Sequence, residues 1–140
     1  MERIVELPAT SDELEENFAL FDDWEDRYTY LVDLGKRLPE LPADQRTEEN
    51  KVRGCTSQVW FVPLDGGDGR LWWAGDSDAS IVRGLVAVLQ VLFNGRTRDE
   101  VRAVDIDAVF ARLGLERHLS VSRRNGFYSM VAKLRGWADR

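Results

Sequence analysis

The chain has 140 residues, one cysteine and a formal net charge of -6. That length suits a single domain able to bury a core without disulfide or metal support. A lone cysteine excludes an intramolecular disulfide and any zinc site built on two or more thiolates, and points to a reducing, cytoplasmic setting. Acidic residues spread through both halves argue against nucleic acid as a partner. The first ten residues hold no apolar core of the length a signal peptide needs. The most apolar stretch, 84–93, is about half of the ~20 residues that span a bilayer, so no membrane partner is expected.

Thr10 with Glu13 forms a capping-box signal, and Leu14, Phe18 and Phe21 follow at i, i+4 and i+7, which predicts a first amphipathic helix. Asp22 with Glu25 signals a second, whose face carries Trp24, Tyr28, Leu31, Val32 and Leu38 and which Pro39 ends. From Pro39 to Cys55 periodicity is lost, leaving a long loop of the kind that often carries function. Residues 57–64 and 70–74 read as two antiparallel strands joined by the glycine-rich segment 65–69, with a third short strand near Lys51–Gly54.

Asp76, Ser77 and Asp78 precede a strongly apolar helix from about Ala79 to Phe93, the expected centre of the core. Asn94-Gly95 stops it, Thr97 with Glu100 caps a short helix, and Asp107 to Leu113 forms another before Gly114. Phe127, Met130, Val131, Leu134 and Trp137 mark the last helix. Strands flanked by runs of helices, rather than alternating with them, predict an α+β fold with a small antiparallel sheet packed against helices.

Cys55 lies where the long loop meets the first strand, after Gly54 and before Thr56 and Ser57. A packing cysteine usually occupies an apolar position of a periodic element, so this setting leaves chemistry and packing both open. Lys51, Arg53 or backbone N–H groups are the local means of lowering its pKa.

The segment Gly54-Cys55-Thr56-Ser57-Gln58-Val59-Trp60 resembles the active-site segment of the SufE family, in which this cysteine accepts sulfur as a persulfide. Residues 18–42, with Trp24-Glu25-Asp26-Arg27-Tyr28 and Leu34-Gly35-Lys36-Arg37-Leu38-Pro39, resemble the family's N-terminal helices. Gly75-Asp76-Ser77-Asp78-Ala79 with Ile81-Val82-Arg83-Gly84-Leu85 resembles its middle, and His118 to Arg123 followed by Asn125-Gly126 its C-terminal signature. Val121 departs from the proline of many relatives, and residues 1–10 match nothing and are expected to be a disordered lead.

The resemblance implies a SufE/NifU-like two-layer sandwich and a cytoplasmic sulfur acceptor of the Suf iron–sulfur cluster assembly system. Its donor would be a SufS-type cysteine desulfurase, which holds the pyridoxal phosphate, and its recipient a SufBCD-type scaffold. This chain would need no cofactor or metal of its own, and either a monomer or a homodimer would serve. The resemblance gives Cys55 as the covalent acceptor and Ser122, Arg123 and Asp78 as partner-binding residues, with the Asp78 segment also affecting the mobility of the cysteine loop.

Each has a plainer reading. Ser122 and Arg123 suit a solvated helix start, and Asp76 to Asp78 suit helix capping. An EF-hand is ruled out because Ile81 occupies the position that requires glycine. Two other functions remain open: a regulator of the desulfurase that accepts no sulfur, and a thiol-dependent hydrolase or peroxidase in which His118 serves Cys55 as base. The glycines at 66, 67 and 69 lack a following Gly-Lys-Ser or Gly-Lys-Thr and read as a turn, and Trp60, Trp72 and Trp73 as strand and core residues.

Overall fold

A computed structural model describes residues 7–64 and 66–139. Thr10 caps α1 (Ser11–Ala19) by accepting from the Glu13 amide at 3.1 Å, and the Glu13 carboxylate returns to the amide of Ala9. Leu14 and Phe18 are fully buried, so this helix is tied down by one apolar stripe. The expected disordered lead lies outside the described residues over 1–6. Over 7–10, Leu7 packs against the core and Pro8 is buried.

The second helix, α2 (Trp24–Arg37), is capped by Asp23 rather than Asp22, because it is the Asp23 carboxylate that accepts from the Asp26 amide. Its buried stripe runs through Leu31, Leu34 and Gly35, while Tyr28 is exposed. α3 (Ser80–Phe93) crosses it backbone to backbone. A Cβ on Gly84 would collide with the Leu31 carbonyl, and one on Gly35 would lie 2.7 Å from the Gly84 nitrogen. Eleven of the fourteen residues of α3 are buried, which makes it the centre of the core. Each large apolar side chain among them contributes roughly 1.5–3 kcal/mol before the entropy cost of ordering the chain.

The sheet is antiparallel in the order β1 (Val59–Leu64), β2 (Arg70–Ser77), β3 (Arg96–Thr97). The register runs from Val59 opposite Ser77 to Leu64 opposite Trp72, and Leu71 pairs with Arg96. The third strand is therefore not at 51–54. There the chain makes only one bridge, Lys51 to Trp60, before Gly54 turns at φ +90° and breaks the extended run. Gly95, at φ +72°, turns the chain after α3 so that β3 reaches the free edge of β2.

Three further α-helices follow among the described residues. α4 (Arg98–Ala103) carries the full Thr97–Glu100 capping box, α5 (Ile106–Arg112) is capped by Asp105, and α6 (Val121–Ala138) by Ser120. The fold is α+β, with helices packed on a small antiparallel sheet. No helix among the described residues is long and apolar enough to cross a membrane.

Candidate functional site

The pairing of Val59 with Ser77 sets the geometry around Cys55, because it brings the residue before β1 opposite the residue after β2. Gln58 and Asp78 meet there. The Gln58 amide donates to Asp78 Oδ1 at 3.1 Å, its side-chain amide donates to Oδ2 at 3.4 Å, and the Asp78 amide donates to the Gln58 carbonyl at 3.2 Å. Ser77 adds a fourth bond, its hydroxyl donating to the same carbonyl at 2.8 Å. One bond from the Val52 amide to the Val59 carbonyl, 2.8 Å, closes the base of the loop that carries Cys55.

The other side of this loop rests on α6. Thr56 Oγ1 and Ser122 Oγ are 2.6 Å apart, sharing a hydrogen bond near the helix start. Cys55 is half-buried and turned inward against the core, with its thiol donating to the carbonyl oxygen of Gly126 at 3.5 Å. A Cβ at position 126 would already be in contact with the sulfur, at 3.4 Å. Beside the thiol lies a cavity of about 30 Å³, floored by Val82, Leu85 and Met130 and walled by Ser122 and Arg123. That is enough space for a water or for one additional heavy atom.

Burial pushes the Cys55 thiol up from its ordinary pKa, and no neighbouring charge offsets it. This overturns the expected activation by local cations. The Lys51 ammonium is 2.6 Å from Glu48, and Arg53 pairs with the same carboxylate at 3.5 Å, so both cations are engaged by that carboxylate. The Lys51 hydrogen bond in turn holds the Glu48 carboxyl below its usual value. In this inward position the thiolate is a minor species at neutral pH.

Three of the four residues singled out from the sequence as partners or acceptor, Cys55, Ser122 and Arg123, line one cavity. Asp78 lies apart from its wall but holds the loop through Gln58. Arg123 is exposed and, among the described residues, forms no ion pair; only its backbone amide is engaged, by Ser120.

The capping reading of Asp76 to Asp78 does not hold, since the cap of α3 is Ala79 with no side-chain bond. Asp76 is instead buried, ion-paired with Arg83, and accepts from the amides of Leu41 at 2.9 Å and Ser77 at 2.8 Å. Arg83 also donates to the carbonyls of Gly35 and Leu38, so the pair fastens α2, β2 and α3 together below the cysteine loop. His118 is no base for Cys55. Its ring stacks on Trp24 with centroids 4.6 Å apart, and it is absent from the cavity wall. Sequence reasoning missed the contacts of Thr56 and Gly126, which join residues 66 and 71 positions apart and leave no local pattern.

The family model for SufE, described as an Fe-S metabolism associated domain, matches residues 12–138. The chain belongs to the SufE family. An uncharacterized SufE-like protein of Rhizobium meliloti (strain 1021) is 46% identical over 131 residues, covering 91% of this chain and 94% of the relative. Another, from Rhizobium etli, is 47% identical over 130 residues, covering 91% and 88%. The solution structure of a hypothetical protein from Thermus thermophilus superposes with a TM-score of 0.73 over 96% of each chain, at 18% identity, and so shares the fold. SufE membership ties the chain to iron–sulfur metabolism.

Proposed function

We propose that Cys55 accepts sulfur as a persulfide from a cysteine desulfurase and passes it to an iron–sulfur cluster scaffold. The observation that carries this reading is the sole cysteine, half-buried on a loop held to its surroundings by hydrogen bonds, in a chain of the SufE family. The Cys55 thiolate attacks the terminal sulfur of the donor's persulfide. A new S–S bond forms at Cys55, the donor's S–S bond breaks, and the donor cysteine leaves as a thiolate. Pyridoxal phosphate belongs to that donor, a SufS-type enzyme, and the recipient is a SufBCD-type assembly in the cytoplasm.

The inward, neutral thiol is a resting state, because attack needs both the thiolate and an open path. Docking of a partner against Ser122, Arg123 and the Asp78 corner would loosen the loop's hydrogen bonds and turn Cys55 outward. The exposed guanidinium of Arg123 at the cavity wall is suited to meet an acidic group of the partner.

Intact-mass measurement after incubation with a cysteine desulfurase and cysteine tests the acceptor role. Wild type gains the mass of sulfur and Cys55→Ser gains none; equal gain by both would overturn it. A regulator that takes no sulfur would instead leave Cys55→Ser fully able to stimulate alanine production. The stacking of His118 on Trp24 removes the support for a partner-independent hydrolase.

A further inference from the structure

The contact between Cys55 and Gly126 has a property that depends on what the sulfur carries. A backbone carbonyl oxygen only accepts hydrogen bonds, whereas a cysteine sulfur donates only while it is a thiol. At 3.5 Å the two suit each other in the S–H form. As a thiolate, or once bonded to a second sulfur, Sγ has no hydrogen and presents lone pairs to the carbonyl.

We propose that the Gly126 carbonyl is a positioning group that retains Cys55 only while Sγ bears hydrogen, so that losing the proton or gaining a sulfur releases the 54–58 loop outward. This rests on the acceptor role of Cys55. Its consequence for transfer is directional: an empty carrier withdraws its thiol, and a loaded one presents its sulfur.

The surroundings of the sulfur favour this discrimination. From α3 the seat is met by Val82 and Leu85, and from α6 by Met130, none of which can donate to an anion; its polar lining is Ser57 together with Thr56 and Ser122, whose hydroxyls are paired with each other. Arg83 is turned to Asp76, and Lys51 and Arg53 to Glu48. Asp78 is engaged by Gln58, and His118 by Trp24. Among the residues lining this cavity the charged side chain is Arg123, which is exposed and so can meet an anion that leaves the seat. Lack of room is not the cause, since the cavity of about 30 Å³ admits one more heavy atom.

Ionisation releases the proton to water and leaves the thiolate in the seat. Burial raises the pKa of Cys55, so the inward position is fully favoured below the ordinary cysteine value. It is lost as pH rises through the raised one.

Amide hydrogen exchange over residues 54–58, with the β1 amides of Val59 and Trp60 as internal reference, tests the proposal on the free protein. Four forms are compared: the thiol, Cys55 capped as its methyl disulfide, Cys55→Ala and Cys55→Ser. The capped form and Cys55→Ala lack a donor while changing volume in opposite directions, and at pH 7 both are expected to exchange about fivefold faster than the thiol. Cys55→Ser keeps an O–H donor and stays within twofold of the thiol. As pH rises through the raised Cys55 value, after correction for intrinsic exchange, the wild-type loop loses protection and Cys55→Ser does not.

Wild-type protection in both donor-free forms, or a pH response shared by Cys55→Ser, would overturn the proposal. No partner is needed for this readout, so its failure leaves the acceptor assignment standing. Conversely, a Cys55 that gains no sulfur from the desulfurase strikes that assignment without altering the exchange.

Discussion

Gly54 lies so close to Ser129 of α6 that a Cβ at position 54 would collide with the serine hydroxyl, and its φ of +90° is one that side chains rarely adopt. Two independent constraints thus fix one small residue immediately before the cysteine. Gly54→Ala is expected to lower unfolding free energy by about 1–3 kcal/mol and to push the loop off α6. Urea unfolding reads the first effect and the reaction rate of Cys55 with a chromogenic disulfide reads the second. An unchanged midpoint with an unchanged rate would contradict both.

Asp78 and Ser122 hold opposite flanks of the same loop, through Gln58 and Thr56 respectively. A hydrogen bond contributes about 0.5–1.5 kcal/mol net, which corresponds to a two- to tenfold change in the population of an open loop. Alkylation of Cys55 by iodoacetamide at fixed pH should therefore quicken by such a factor in Asp78→Ala. Ser122→Ala should show a smaller rise, because it loses one neutral bond where Asp78→Ala loses two to a carboxylate. A slower or unaltered rate in Asp78→Ala would show that this corner does not restrain the cysteine.

Beneath the loop, the Asp76 carboxylate is almost fully buried and satisfies Arg83 and two backbone amides at once. Asp76→Ala strands all three donors and should cost about 3–5 kcal/mol in urea unfolding. Arg83→Met should cost less, since the carboxylate keeps its amide partners from Leu41 and Ser77. The reverse order would mean that the arginine's bonds to Gly35 and Leu38 matter more than its charge.

Local signals located most elements. Thr10, Thr97 and Asn94-Gly95 mark boundaries where the structure has them, because caps and turns act within a few residues. The choice of Asp22 over Asp23 slipped by one, as two adjacent carboxylates offer the same chemistry and only backbone geometry separates them. The third strand was misplaced for a different reason. Residues 51–54 have the composition of a strand, but the +90° turn at Gly54 stops the pairing after Lys51, and the sheet takes Arg96–Thr97 instead.

Cys55 could be singled out from its neighbours in sequence, yet its environment could not. Lys51 and Arg53 look like activating charges until Glu48 is seen to hold them both. Asp78 has the composition of a helix cap and acts across 20 positions on Gln58. Such roles arise from strand register and helix placement, which no short window of residues encodes.

The close crossing at Gly35 and Gly84 leaves α2 and α3 without the layer of side chains that ordinarily lets neighbouring helices slide. The scaffold behind the cysteine is in effect a stiff chassis, locked along that seam. The span between Val52 and Val59 is held differently, by individual hydrogen bonds instead of backbone-on-backbone packing, which makes it the softer part of the site.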